Sequence, residues 1–373
     1  MSITGRKEVL NHNVISWVCC AFVCLLVFAT PCTAQCTGSL LWEHAEGGAD
    51  TSIALSPEGN YVTTGSSKGI TVFDINGTIA WDIQMRGDYG IAMSAGGQLL
   101  AVGGSGLNVY APDGSIVWKW TNGYFVFDVD IDPDGSEAVT CVDDATIRSF
   151  NLTNGIAWNV TFEEDIYSVA RSADGGYIAC GSEDSHIYLL NRDQRQLWNY
   201  RTGGAPIGDI AISSDGARIA ALSEDGMLYY LSRGGRMLWS KSVGRSNQVA
   251  TADDGSIVAA GGDTISVYSA DGERVWSHDT GTKVSGIELS ADGSLLAASD
   301  QDRIYVFSLD CGDHATVATQ PPVEGVVDNE TPVTGEPLAT LQKPSTTPAK
   351  SGPDHIILGT FSLFFLMMLR KRN

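Results

Sequence analysis

The chain has 373 residues, with 23 basic and 44 acidic side chains and a formal net charge of −21 at pH 7. This acidic balance argues against nucleic acids and anionic membrane surfaces as partners. Charged residues make up only 18% of the chain, so the composition is not that of a disordered polyelectrolyte.

Residues 1–34 have the pattern of a secretory signal peptide. Arg6 and Lys7 form a basic start, residues 14–29 form an apolar run, and residues 32–34 resemble a cleavage site with small side chains. We therefore expect a secreted protein, and an uncleaved N-terminal anchor is the alternative.

Seven tryptophans then recur at steps of 37 to 41 residues: Trp42, Trp81, Trp118, Trp158, Trp198, Trp239 and Trp276. Between them, turns of the type Ser-x-Asp-Gly, such as residues 172–175, separate short β-rich runs. A second turn, often Asn-Gly or Asp-Gly, leads to each tryptophan and is typical of a tight hairpin. This repeat of about 40 residues predicts an all-β, seven-bladed β-propeller over residues 35–311, with four antiparallel strands per blade. We expect the tryptophans to pack between blades.

The ends of the repeat array complement each other. Trp42 precedes the first Ser-x-Asp-Gly turn, so its strand has no inner strands before it, whereas the last unit ends at residues 304–307 without a tryptophan strand. The N-terminal strand should therefore complete the seventh blade as its outer strand, which removes an exposed sheet edge. Cys36 and Cys311 flank this seam, and we predict a disulfide between them; free thiols at frayed ends are the alternative.

Two other cysteines of the repeat region, Cys141 and Cys180, lie on equivalent strands of successive blades but one residue out of register. We expect them to point to opposite faces and to be small buried residues rather than a pair. His44 and His278 each follow a tryptophan by two residues on outer strands of neighbouring blades. We expect surface histidines there, too far apart to hold one metal ion.

The chain carries no Cys-x-x-Cys, His-Glu-x-x-His or Gly-x-Ser-x-Gly motif and no phosphate-binding glycine loop. We therefore predict no catalytic residue, no cofactor and no metal ligand. Asp128 and Asp209, four residues before their turns, are the candidates for side chains that face a central channel. A catalytic or metal site there, or a calcium site among the turn aspartates, is the alternative.

Four Asn-x-Ser/Thr sequons are candidate glycosylation sites in a secreted protein: Asn76, Asn151, Asn159 and Asn329.

The C-terminal part has the composition of a stalk and an anchor. Residues 312–353 are rich in Thr and Pro and predict a disordered, solvated segment. Residues 354–373 contain a short apolar run closed by Arg370-Lys371-Arg372, which should stay on the cytoplasmic side and leave the propeller outside. The alternative to a retained anchor is a sorting segment that is cleaved.

Two repeat families resemble residues 38–310. The segment from Gly77 to Trp81 is similar to the end of a pyrroloquinoline-quinone-type repeat, and residues 172–184 resemble a tryptophan-aspartate (WD) repeat. Similar hybrid propellers with signals and anchored tails are known as surface proteins of methanogenic archaea, and the tail resembles archaeal sorting signals. The calcium and quinone ligands of quinone-dependent dehydrogenases cannot be placed on this chain, so the resemblance implies no quinone.

From these features we expect a non-enzymatic cell-surface propeller, monomeric, that binds a protein or a glycan through the loops on its faces. It would be attached to the membrane by its C-terminal segment and would not bind nucleic acid. The alternative is an extracellular propeller enzyme, a lyase or hydrolase, with a metal in the central channel.

Overall fold

The computed structural model describes residues 35–45, 52–66, 68–84, 90–121, 123–244 and 248–312. The predicted signal peptide (1–34), the stalk after residue 312, the C-terminal segment (354–373) and the Asn329 sequon lie outside the described residues. Within the described residues, no helix is long and apolar enough to cross a membrane.

The described strands form seven sheets of four antiparallel strands each, which we call blades 1 to 7. Blade 1 consists of β2 (Ser52–Leu55), β3 (Tyr61–Ser66), β4 (Gly69–Asp74) and β5 (Ile79–Ile83), and blade 2 of β6 (Ile91–Met93), β7 (Leu100–Val102), β8 (Leu107–Tyr110) and β9 (Ile116–Trp120). Blade 3 consists of β10 (Val126–Ile131), β11 (Glu137–Val142), β12 (Thr146–Asn151) and β13 (Gly155–Thr161), and blade 4 of β14 (Ile166–Arg171), β15 (Tyr177–Ser182), β16 (His186–Asn191) and β17 (Gln196–Arg201).

Blades 5 to 7 complete the ring. Blade 5 consists of β18 (Ile207–Ile212), β19 (Arg218–Ser223), β20 (Met227–Ser232) and β21 (Met237–Ser242). Blade 6 consists of β22 (Gln248–Thr251), β23 (Ile257–Gly261), β24 (Ile265–Ser269) and β25 (Arg274–His278). Blade 7 consists of β26 (Val284–Leu289), β27 (Leu295–Asp300), β28 (Arg303–Asp310) and β1 (Thr37–Ala45). The predicted all-β, seven-bladed propeller is confirmed. We call the side with the Ser-x-Asp-Gly turns the turn face and the opposite side the loop face.

Hydrogen bonds inside each turn explain the repeated Ser-x-Asp-Gly motif. In blade 4, Ser172 Oγ accepts the amide of Tyr177 (2.9 Å), and Asp174 Oδ1 accepts the amide of Gly176 (2.8 Å). Gly175 supplies the positive φ of +63° that the turn requires. The same serine bond recurs at Ser56, Ser94, Ser213 and Ser290. The repeated motif is therefore structural.

The core is divided into seven apolar layers, each between two adjacent blades, including blades 7 and 1. Each tryptophan strand has a β-bulge just before the indole, and the indole reaches the next blade. Trp42 Nε1 donates to the carbonyl of Ile75 (2.8 Å), and Trp239 Nε1 donates to that of Ala270 (2.9 Å). The structure thus places the tryptophans at the interfaces between blades.

The ring closes at the predicted seam. β1 pairs antiparallel with β28, from Thr37 opposite Asp310 to Ala45 opposite Arg303. The disulfide expected between Cys36 and Cys311 is present, and their Cα atoms lie 4.0 Å apart. Because β1 is the fourth strand of blade 7, the first and last described strands belong to one sheet.

Candidate functional site in the central channel

The innermost strands of the seven blades surround a channel that contains a cavity of about 270 Å³. Six charged residues line it: Asp128, Asp130, Asp209, Asp253, Glu288 and Arg171. Five of the six are acidic. Both sequence-predicted channel residues, Asp128 and Asp209, lie on its wall.

Asp128 ties blade 3 to blade 4. Its Oδ2 accepts hydrogen bonds from the Ser168 hydroxyl (2.9 Å) and the Val169 amide (3.1 Å), and its Oδ1 accepts from the Val129 amide (2.8 Å). Burial raises the pKa of Asp128, while these donors act in the opposite direction. The carboxyl group thus accepts a backbone amide of the neighbouring inner strand, that of Val169.

Asp209 makes the equivalent connection from blade 5. Its Oδ2 accepts the amide of Val249 in blade 6 (2.6 Å), and its Oδ1 lies 3.0 Å from the Ser168 hydroxyl in blade 4. Burial, together with the charge of Asp128, raises the pKa of Asp209 to about 7.

Asp130 and Arg171 form a second connection between blades 3 and 4. Asp130 Oδ2 accepts the backbone amide of Arg171 (2.8 Å), and burial raises the pKa of Asp130 to about 6. The Arg171 guanidinium lies 3.7 Å from Asp132 and 3.5 Å from Glu137. The cation that lines the channel is therefore engaged by carboxylates of blade 3.

Glu288 in blade 7 is the remaining acidic group on the inner strands. Burial, followed by repulsion from Asp209, raises its pKa to about 8. Sequence reasoning missed both Asp130 and Glu288. They stand two residues before their turns, where the other five inner strands carry alanine: Ala54, Ala92, Ala170, Ala211 and Ala250. The sequence did carry a signal for them, because an acidic residue stands at a repeat position that alanine occupies in the other blades.

The channel mouth on the turn face is bounded by backbone hydrogen bonds from blade to blade. The second residue of a turn donates its amide to the carbonyl of the equivalent residue in the next blade, at 2.8–2.9 Å, for Ala95, Ala173, Ser214, Asp253 and Ala291. The two remaining residues at this position are Pro57 and Pro133, which have no amide hydrogen to donate. The mouth is therefore held by the backbone itself.

Metal-ligand candidates do not cluster in the described part of the chain, where no group of three or more His, Cys, Asp or Glu side chains could hold a metal ion. His44 packs beside Phe73 of blade 1, with ring centroids 5.0 Å apart, and His278 packs beside Phe307 of blade 7 at 4.8 Å. Both histidines are half-buried and contribute to the contact between blades.

Cys141 and Cys180 are unpaired and buried, as predicted. They nevertheless share the apolar layer between blades 3 and 4, and burial raises the pKa of both thiols. Cys141 points from blade 3 toward blade 4, and Cys180 points from blade 4 toward blade 3. Their opposite directions, which the sequence predicted, therefore bring both side chains into the same layer.

The three described sequons differ in their surroundings. Asn76 is exposed in the outer turn of blade 1. Asn151 Oδ1 accepts the amides of Thr153 (3.1 Å) and Asn154 (2.9 Å), so its side chain is held in the turn. Asn159 is half-buried opposite Arg148. Glycosylation of these sites stays a prediction.

A second candidate site lies on the loop face, where aromatic side chains of blades 3 and 4 meet. The ring centroids of Phe125 and Phe127 are 5.9 Å apart, and those of Phe127 and Tyr167 are 5.8 Å apart with perpendicular planes. Tyr124, in the linker before β10, is 47% exposed. The rings of Phe125, Phe127 and Tyr167 are partly exposed, and Phe127 also packs against the apolar layer between blades 3 and 4.

Several carboxylates lie near Tyr167, whose pKa is raised by burial and then by the charges of Glu183, Asp165 and Glu224. Burial raises the pKa of Asp165, and so do the charges of Asp143, Glu183 and Glu164. Burial and the charge of Glu183 likewise raise the pKa of Glu224. We call these acids and the aromatic cluster the acidic arc. Sequence reasoning missed it because its members come from loops about 40 residues apart.

Comparisons with known proteins support a propeller of the WD and PQQ repeat types. Residues 183–342 match a PQQ-type family model described as outer membrane protein assembly factor BamB, and residues 159–191 match the WD domain, G-beta repeat. Each match covers less than half of the chain.

The fold is similar to the beta-propeller domain of Myceliophteria thermophila Cps50 (Swd1), with a TM-score of 0.63 and 14% sequence identity. The similarity covers 73% of this chain and 99% of that one. No curated protein sequence matches the chain. Since 1822 chains of solved structures match the fold, the likeness identifies the architecture and not the ligand.

Proposed function

We propose that this protein is a non-enzymatic binding module whose loop face holds a basic segment of a protein partner. The acidic arc carries this proposal. Burial and then neighbouring like charges raise the pKa of Asp165 and Glu224, so a cationic side chain beside them would relieve the repulsion among these acids. Phe127 and Tyr167 offer aromatic faces to the same cation.

The channel carboxylates favour binding over catalysis. Asp128, Asp130 and Asp209 each accept a backbone amide of the following blade, so they serve the assembly of the ring. A rigid disc with loops on its faces is well suited to present a binding surface. We propose a protein partner rather than a glycan because the arc is charged as well as aromatic.

We also propose that the propeller is displayed on the cell surface, outside the membrane. The secretory pattern of residues 1–34, the Thr- and Pro-rich stalk and the apolar segment with its basic end support this arrangement. A membrane-impermeant amine reagent should label the full-length chain on intact cells. Labelling that requires cell lysis would contradict the display.

Binding is tested with the full-length chain and a short oligolysine peptide, followed by titration calorimetry. The double variant E183Q/E224Q removes two carboxylates of the arc and keeps their shape. We expect about tenfold weaker binding, because two partly exposed charge contacts together contribute about 1–2 kcal/mol. The dependence of the affinity on salt should fall as well.

The matched control D193N/E273Q removes two exposed acids on outer turns and makes the same change in net charge. It should bind oligolysine as the wild type does, because these residues lie on the turn face. Equal losses in both double variants would reduce the effect to non-specific attraction and refute the proposed site. Binding of a neutral oligosaccharide in place of oligolysine would show that the partner class is wrong.

A further inference from the structure

Three side chains at one repeat position meet on the channel wall. Asp128, Ser168 and Asp209 each stand four residues before the turn of their blade, in blades 3, 4 and 5. Ser168 is only 2% exposed. Its Oγ lies 2.9 Å from Asp128 Oδ2 and 3.0 Å from Asp209 Oδ1. One hydroxyl thus bridges two carboxyl groups.

The hydrogen atoms available at Ser168 do not suffice for two ionised carboxylates. A serine hydroxyl has one hydrogen to donate and two lone pairs to accept with. The amide of Ile210 already donates to the same oxygen at 3.2 Å. The single hydroxyl hydrogen can serve one carboxylate, so the other carboxyl group must donate to Ser168 and must carry a proton.

The remaining contacts decide which carboxyl group is protonated. Asp128 accepts with both oxygens, from the amides of Val129 and Val169, as an ionised carboxylate does. Asp209 accepts the amide of Val249 with Oδ2. Its Oδ1 lies 3.0 Å from the Ser168 hydroxyl. The Ile210 amide beside this carboxyl group favours its charged form, but it donates to Ser168 Oγ at 3.2 Å, so Oδ1 can carry a proton toward Ser168.

We propose that at neutral pH Asp209 carries a proton on Oδ1 and donates it to Ser168, whose hydroxyl donates to ionised Asp128. The three residues form a directed chain that stores one proton among blades 3, 4 and 5. When the pH rises, the proton leaves to solvent, and two carboxylates then compete for one hydroxyl hydrogen.

The electrostatic surroundings support this assignment. Burial and the charge of Asp128 raise the pKa of Asp209 to about 7. The other charged groups on the cavity wall are Glu288, Asp130, Asp253 and Arg171. Glu288 has a pKa raised to about 8 and is largely protonated at neutral pH, and Arg171 lies against carboxylates of blade 3.

The stored proton makes folding stability depend on pH. An aspartate in the unfolded chain loses its proton near a pH of about 3.9. The folded chain keeps the Asp209 proton up to about pH 7, so it binds more protons than the unfolded chain between these values. Stability therefore falls as the pH rises through this window and levels off above it. Asp130 and Glu288 add slopes of the same sign.

Two substitutions separate the roles of the carboxyl groups. In D209N, the new amide nitrogen can donate to Ser168 while the amide oxygen accepts from Val249, so the variant keeps each hydrogen bond of the protonated acid. In D128N, the new amide nitrogen must face one of two backbone amides, which also donate. We expect D209N to unfold at a higher temperature than wild type, by a clearly larger margin at pH 8 than at pH 5 because the loss in the wild type grows from about pH 4 to pH 7, and D128N to be less stable at both.

The direct measurement is a carboxyl ¹³C titration of the full-length chain labelled at aspartate. The resonance lost in D209N should titrate near pH 7, about three units above an ordinary aspartate. If that resonance titrates below about pH 5, Asp209 is ionised at neutral pH and the proposal is wrong. The variant D193N, at an exposed outer turn, is the control and should leave the pH dependence of unfolding unchanged. Equal destabilisation by D209N at both pH values would also overturn the proposal.

Discussion

Gly272 and Gly281 share a left-handed backbone but differ in what lies beside them. Their φ angles are +82° and +78°. A Cβ at Gly272 would meet Trp239 Cγ at 2.8 Å, whereas a Cβ at Gly281 has nothing within 4 Å. The pair therefore separates the cost of backbone strain from the cost of displacing an indole.

We expect G272A to destabilise the protein more than G281A does. Both variants place a side chain in left-handed backbone, at a cost of roughly 1–2 kcal/mol. Only G272A also overpacks the contact with Trp239, which adds roughly 1–3 kcal/mol. Urea denaturation of the two full-length variants measures the difference. Equal midpoints would mean that the indole does not pack on this turn.

Residues of the channel could be predicted from the sequence where their position relative to the turn of each repeat shows that they lie on an inner strand. Asp128 and Asp209 were identified by their distance from the turns. Ser168 was not, although it stands at the same repeat position, because its role depends on neighbours 40 and 41 residues away. Protonation of a carboxyl group depends on burial and on competing donors, which no repeat pattern records.

At the scale of the strand and turn, the sequence predicted most blades well because hydrogen bonds within each turn determine the motif. Blade 2 departs from the pattern. Its turn contains Gly96 and Gly97 where blades 3 to 7 have Asp-Gly, and it forms a short 3₁₀ segment, Ala95–Gly97. Glu58 of blade 1 contacts this turn from outside, since its Oε2 accepts the amide of Gly96 at 2.8 Å. A contact from a neighbouring blade could not be predicted from blade 2 alone.

The outer strands show a second limit of prediction from sequence. Periodicity places each tryptophan on a strand, but it does not show the β-bulge that precedes it, such as that between Trp81 and Ile79. A bulge adds one residue to a strand without changing the spacing of the tryptophans, so the repeat period does not record it. It also leaves Ile79 and Ile116 about half exposed on the rim.

For the whole molecule, closure of the ring makes the disulfide the main covalent constraint. The double variant C36S/C311S should lower the free energy of unfolding by up to about 4–5 kcal/mol, because the bond closes a very long loop in the unfolded chain. The sequence separation of the two cysteines is 275 residues. Urea denaturation of the oxidised protein and the variant measures the loss.

A reducing agent provides the control for this prediction. Wild type should become as unstable as C36S/C311S when it is reduced, while the variant itself should not respond, since the two other cysteines of the described residues, Cys141 and Cys180, are unpaired. A variant as stable as the oxidised wild type would contradict the constraint.

Closure could be predicted from the sequence because each end of the array lacks what the other supplies, and both cysteines flank the junction. The acidic arc could not, since Phe127, Asp165 and Glu224 become neighbours only when blades 3, 4 and 5 are arranged around the channel.

The bridge at the seam also determines how tension would enter the propeller. A pull transmitted along the segment after Cys311 reaches β28 and, through the sulfur bridge, β1 at the same time. Cys36 further donates its amide to Val275 of blade 6, so part of the force passes to a second sheet. Without the bridge, the same pull would act on β28 alone and could strip its backbone hydrogen bonds one after another. A ring closed in this way can be held by one end without coming apart at its junction.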